Sequence, residues 1–220
     1  MEPTRHGSCA MMPSRRAAHL EPQASLGSGT RPVILQTVLR IAVVSFPVSE
    51  IAVALFKRDS RTAQAEDRGS MRLLWLVIGP FVVLAIAVSG YGATRLPFDA
   101  AFQERTATSL LLGGLVLRWT AILTLGRFFT ANIAIHEGQP VISAGPYRYV
   151  RHPSYTGLLL AFLGLGVFFG NWLSVIVLFV PITFAVIHRI RIEESVLEGA
   201  LGPAYSAYCA RTKRLIPGMW

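Results

Sequence analysis

After a polar stretch over residues 1–32, the chain becomes a series of long apolar runs separated by short charged segments. The run at 33–56 is the least uniform, interrupted by Arg40, Pro47 and Glu50. The run at 73–93 is clean and long enough to cross a ~30 Å hydrocarbon core as a helix. The run at 108–125 is slightly short and carries Arg118 near its centre. From 156 to 187 the chain is predominantly apolar, broken only by Gly170-Asn171. One helix of that length would overshoot a bilayer, so a tight helical hairpin is expected, with halves at 156–169 and 172–188. Gly157, Gly164, Gly166 and Gly170 are spaced to let the two hairpin backbones approach closely. The pattern predicts an all-α membrane protein of about five transmembrane helices.

Composition agrees. Hydrophobic residues make up 52% and charged residues only 15% of the 220, against about 25% charged in soluble domains. The net charge of +9 could suit nucleic acid. The basic residues, however, flank the apolar runs, where anionic membrane lipids are the expected counterions, so nucleic acid is excluded as a partner. All basic residues except Lys57 and Lys213 are Arg, a bias typical of a GC-rich, bacterial source. Lys57, Arg58, Arg61, Arg68, Arg72, Arg127, Arg148, Arg151 and the basic C-terminal tail fall on one side of a five-span topology. By the positive-inside rule that side is cytoplasmic, which places the protein in a bacterial inner membrane with this face inward. Residues 1–32 lack the apolar h-region of a secretory signal and are expected to be a disordered tail. Cys9 and Cys209, in opposite tails, offer no disulfide framework, and no His/Cys/Asp/Glu spacing suggests a metal.

Two constellations carry candidate chemistry. The first is Gly145-Pro-Tyr-Arg-Tyr-Val-Arg-His-Pro-Ser-Tyr-Thr-Gly157. Its two X-Pro steps stiffen an irregular segment that leads into the hairpin. Ser154 is placed to cap the helix, with Tyr147, His152 and Tyr155 around a helix N-terminus that favours an anionic group. An interfacial anchor would explain Arg148 or Tyr149, but not the His-Pro pair between glycines. The second is Arg189-Ile-Arg-Ile-Glu193-Glu194, where Arg189 and Glu193 share one helix face and can pair. Periodicity alone reads this as an ordinary charged helix end. Within the bilayer, Arg40, Glu50 and Arg118 are costly and should face the bundle or snorkel, and Glu50 can pair with Arg118.

These motifs, with the hairpin between them and Gly202-Pro-Ala-Tyr205-Ser-Ala-Tyr208 and Arg214-Leu-Ile-Pro217 after them, resemble the isoprenylcysteine carboxyl methyltransferase family, relatives of the phospholipid methyltransferases. The resemblance covers 126–220, which it implies is the methyltransferase core, preceded by N-terminal helices over 33–125. It implies a cytoplasmic cofactor-binding loop, a C-terminal helix and S-adenosyl-L-methionine as methyl donor. Carried over by position, Tyr147, His152, Pro153, Ser154 and Tyr155 contact the donor. The stretch Gln139, Pro140, Val141 and Ile142 does too, although Gln139 stands where the eukaryotic enzymes have His. Arg189 and Glu193 match the family's substrate-site pair and become the expected catalytic residues. The implied acceptor is a lipophilic small molecule or a lipidated carboxylate. Three alternatives stay open: amine N-methylation of a phospholipid, a sterol-type reductase using NADPH, and a membrane scaffold without catalysis.

Overall fold

The computed structural model describes residues 33–56, 65–130 and 139–218. Among them the helices are α1 (Val33–Phe56), α2 (Ala65–Val88), α3 (Ala100–Leu125), α4 (Pro153–Phe168), α5 (Trp172–Leu201) and α6 (Pro203–Arg211). By length and apolar composition α1, α2, α3 and α5 can each cross a membrane, and α4 is a shorter apolar helix. The result is an all-α, multi-pass integral membrane fold. The expected tail at 1–32 and the loop residues Lys57, Arg58 and Arg61 lie outside the described residues.

Two helices start earlier than hydrophobicity indicates. The Asp99 side chain accepts a hydrogen bond from Phe102 N at 2.9 Å and so caps α3 two turns ahead of its apolar run. Charged residues there, such as Glu104 and Arg105, hide this part of the helix from an apolar-run criterion. Helix α2 likewise extends back to Ala65 through polar sequence. The largest extension is at α5, which continues past His188 to Leu201. Gly202, at φ +55°, then ends it and Pro203 opens α6. Arg189, Glu193 and Glu194 therefore sit within a continuous helix, not at a frayed end.

The hairpin forms as expected, with Gly170 at φ +70° in the turn. Asn171, fully buried, organises that turn from both sides. Its Oδ1 accepts from Leu173 N and Ser174 N, capping α5, and from Thr94 Oγ1. Its Nδ2 donates to Val88 O and Tyr91 O, the chain leaving α2. A single amide thus ties the hairpin tip to the α2–α3 connection. Where water is scarce, each such backbone carbonyl needs a partner.

The glycine reading needs correction. Gly157 and Gly164 face α3, not the other half of the hairpin. A Cβ on Gly157 would lie 2.6 Å from both Arg118 N and Gly114 O, and one on Gly164 2.7 Å from Leu111 N. Gly114 makes the reciprocal approach to Ala161 N and Gly157 O. Only Gly166 abuts α5, through Val175. Spacing along the chain points to the sequence neighbour, but in lipid the tightest packing falls wherever small residues from two helices coincide. Leu111, Leu158, Leu178, Ile182, Val186 and Ile190 fill the space between α3, α4 and α5. The outer faces expose Leu76, Val83, Val116, Leu123 and Phe184, as lipid contact requires. Gly157→Ala is expected to cost about 1–3 kcal/mol by overpacking a backbone crossing, read as a lower unfolding midpoint in detergent.

Candidate active site

The 145–157 segment is built as a turn, an N-cap and a helix start. A 3₁₀ turn at Gly145–Arg148 opens on Gly145 at φ +54°, a conformation that favours glycine. Pro153 is the first residue of α4, and the N-cap is His152, not Ser154. Proline at N1 is pre-set for helix and passes the cap to the residue before it. The His152 carbonyl accepts from Tyr155 N and Thr156 N at 3.1 Å each. Ser154 turns its hydroxyl instead to Arg118 Nη1, at 3.0 Å.

The C-terminal segment straps this start down. Val150 and Lys213 form a parallel bridge, Arg151 N donates to Lys213 O at 2.7 Å and His152 N to Arg214 O at 3.0 Å. Thr156 Oγ1 donates to Leu215 O and Tyr208 Oη to Tyr147 O. The expected anion cradle at the start of α4 is therefore largely taken up. Amides of Arg151, His152, Tyr155 and Thr156 all donate within the protein, and Pro153 has none to offer.

From α5 come the acidic and basic partners. Arg189, 3% exposed, donates through Nε to Tyr155 Oη at 2.6 Å and through Nη1 to Ser70 Oγ at 2.8 Å. Tyr155 Oη in turn donates to Glu193 Oε2 at 2.9 Å. The expected Arg189–Glu193 partnership is thus relayed by a phenol on α4. Glu194 gathers two guanidinium groups and an imidazole. Arg151 Nε and Arg214 Nε each lie 2.8 Å from it, and His152 Nε2 lies at 3.3 Å. Hydrogen bonding to Glu194 pushes the Arg214 guanidinium pKa further up, so that the strap stays charged. Burial pushes the Tyr147 and Tyr205 phenols well above their usual value, and Tyr208 up to about 12. These three hydroxyls stay neutral through any physiological pH.

Tyr147, Arg151, His152, Tyr155, Arg189, Glu193, Tyr205 and Tyr208 surround one cavity of about 1270 Å³, its open mouth included, with Glu194 and Arg214 behind its wall. Of the expected site residues, Gln139, Pro140, Val141, Ile142, Tyr147, His152, Ser154, Tyr155, Arg189 and Glu193 line it. Pro153 does not; it is fully buried and sets the helix start. Residues that sequence reasoning left out of the site also line it, among them Glu50, Arg118, Arg151, Tyr205 and Tyr208. A signal for Arg118 existed in its cost at mid-span. For Arg151 and the two tyrosines, the signal was their place inside the quoted motifs. The cavity continues into an apolar wing of Val53, Met71, Leu74, Trp75 and Ile78 from α1 and α2.

A polar, charge-bearing cavity with an apolar wing lies at one end of a multi-pass bundle and is the candidate active site of this membrane protein. The family model for isoprenylcysteine carboxyl methyltransferases matches residues 107–199. Protein-S-isoprenylcysteine O-methyltransferase B of Arabidopsis thaliana is 35% identical over 189 residues, which are 82% of this chain and 92% of that protein. Protein-S-isoprenylcysteine O-methyltransferase of Schizosaccharomyces pombe is 29% identical over 122 residues, 54% of this chain and 52% of that protein. The solved eukaryotic intramembrane Ras methyltransferase shares the fold, with TM-score 0.60 and 21% identity over 87% of this chain and 69% of that one. This chain belongs to the isoprenylcysteine carboxyl methyltransferase family.

Proposed function

We propose that this protein transfers a methyl group from S-adenosyl-L-methionine to the carboxylate of a lipophilic, isoprenylcysteine-type acceptor that reaches the cavity from the bilayer. One observation carries the reading: Arg189 and Glu193, the family's substrate pair, share a cavity with the motif loop and an apolar wing. The site residues fit the donor by their chemistry. Gln139–Ile142 and the aromatic residues Tyr147, Tyr205, Tyr208 and Phe128 line the cavity, a set that suits a nucleoside and a sulfonium cation. When bound, the donor supplies an electrophilic methyl group on sulfur.

The residues of the chain do the rest. Arg189 holds the acceptor carboxylate by charge-assisted hydrogen bonds, and the Tyr155–Glu193 relay fixes the guanidinium. A carboxylate is ionised at neutral pH, so no general base is required. The apolar wing excludes water, which favours a step in which opposite charges cancel. Basic loops flanking the site support a cytoplasmic orientation, and the arginine bias a bacterial inner membrane. The stretch 126–220 acts as the methyltransferase core, with the preceding helices closing its apolar wing.

Calorimetric titration of the detergent-solubilised protein with S-adenosylhomocysteine and with NADPH tests the reading. Micromolar binding of the first, together with methyl transfer to a farnesylcysteine-type carboxylate, is expected. Binding of NADPH alone would overturn methyl transfer as the activity, and transfer only to an amine lipid would overturn the carboxylate acceptor. His152→Ala removes a 4%-exposed side chain from Glu194 and the cavity wall. It is expected to weaken S-adenosylhomocysteine about tenfold, ~1.4 kcal/mol.

A further inference from the structure

Three helices converge on a buried charge pair at the inner wall of the cavity. Glu50 of α1 is 9% exposed and Arg118 of α3 7% exposed. The guanidinium meets the carboxylate two atoms to two, Nη2 on Oε2 and Nε beside Oε1. Its remaining Nη1 donates to Ser154 Oγ at 3.0 Å and Ser154 O at 3.3 Å, in the first turn of α4. The backbone at Arg118 lies directly against α4, where a Cβ on Gly157 would be 2.6 Å from Arg118 N. The arginine is therefore delivered from the tightest α3–α4 crossing onto the turn that begins one residue after His152.

We propose that Glu50 and Arg118 are positioning residues: they couple α1 to the first turn of α4 and so fix His152 and Tyr155 against α5. The proposal rests on the methyltransferase reading for its functional consequence and on geometry for the rest. Glu50 neutralises Arg118 and aims it, Arg118 grips Ser154 by hydroxyl and carbonyl, and the next residue, Tyr155, carries the Arg189–Glu193 relay. A buried pair is weak evidence for stability, since apolar residues of similar volume often serve a fold as well or better. What apolar residues cannot supply is a directed hydrogen bond to Ser154. Helix α1, which lies outside the stretch the family model matches, thereby becomes part of the site.

The test is the apolar pair Glu50→Leu/Arg118→Met, which removes the grip without leaving a lone buried charge. Glu50→Asp, which shortens but keeps the carboxylate, is the conservative control. The double variant is expected to unfold in detergent at or near the wild-type midpoint, yet to bind S-adenosylhomocysteine about tenfold more weakly. The control should recover most of that loss. Hydrogen exchange on the ligand-free proteins gives a second readout independent of any donor. Amides of 145–156 are expected to exchange at least threefold faster in the double variant, with the core of α5 unchanged. Wild-type affinity and wild-type exchange in a folded double variant would overturn the proposal. If the wild type itself fails to bind S-adenosylhomocysteine, the methyltransferase reading falls, and the exchange rates alone decide whether the pair positions α4. A double variant that unfolds instead would make the pair a requirement of the fold and equally overturn a positioning role.

Discussion

Arg189→Ala is expected to lower kcat/KM for the acceptor about a thousandfold, ~4 kcal/mol of transition-state stabilisation, within the range for truncating a buried hydrogen-bonded charge. The guanidinium is 3% exposed and already aligned by Tyr155 Oη and Ser70 Oγ, so it meets a carboxylate without first being ordered. Low local dielectric strengthens that contact relative to water. The loss should appear in acceptor kinetics, while S-adenosylhomocysteine affinity stays within about threefold, since the donor is assigned to the loop side of the cavity. Arg189→Lys should recover little. An ammonium is a single point charge and cannot span Tyr155, Ser70 and a substrate carboxylate as a planar fork does. Equal losses of donor and acceptor affinity would mean that Arg189 supports the cavity as a whole. Unchanged turnover would remove it from the reaction.

The parts of this protein written in local sequence were readable, and the parts written across helices were not. Long apolar runs and the Gly170-Asn171 break gave the hairpin, because span length and turn chemistry are local properties. The Gly-Pro and His-Pro steps marked the loop for the same reason. Helix starts at Ala65 and Ala100 escaped, since polar first turns carry no hydrophobic signal and only a cap such as Asp99 declares them. Ser154 reads as a cap because a serine at a helix start usually is one; only the position of Arg118 in space shows its other task. The same limit applies to the glycines. Their spacing announces close packing, but whether the partner is α3 or α5 depends on where Gly114 falls on another helix. Of the residues expected to meet donor or acceptor, all except Pro153 line the cavity. The motif order made that legible, whereas Glu50, which belongs to no motif, joins the site through tertiary packing.

Glu194→Ala is expected to be the most damaging change outside direct substrate contact, and it separates the roles of the adjacent glutamates. Glu193 reaches Tyr155 and the cavity; Glu194, one residue on, points to the strap. Its side chain is 12% exposed and holds Arg151, His152 and Arg214 at once. Removing it leaves Arg151, 11% exposed, with only the carbonyls of Cys209 and Thr212 for its charge. Breaking a buried ion pair from one side costs about 3–5 kcal/mol, because the other charge stays behind uncompensated. The strap holds the backbone of Arg151 and His152 through Lys213 and Arg214, so its release should also loosen the donor side of the cavity. S-adenosylhomocysteine binding is expected to fall about a hundredfold, ~2.7 kcal/mol, with a lower unfolding midpoint and faster hydrogen exchange over 205–215. Glu194→Gln should fall between, since one amide oxygen can accept from one arginine but carries no charge for the second. Arg151→Met in the Glu194→Ala background removes the stranded cation and should restore part of the stability without restoring donor affinity. A Glu194→Ala protein with wild-type stability and wild-type donor affinity would show that the backbone contacts of the strap suffice by themselves. The charge cluster would then have no part in shaping the site.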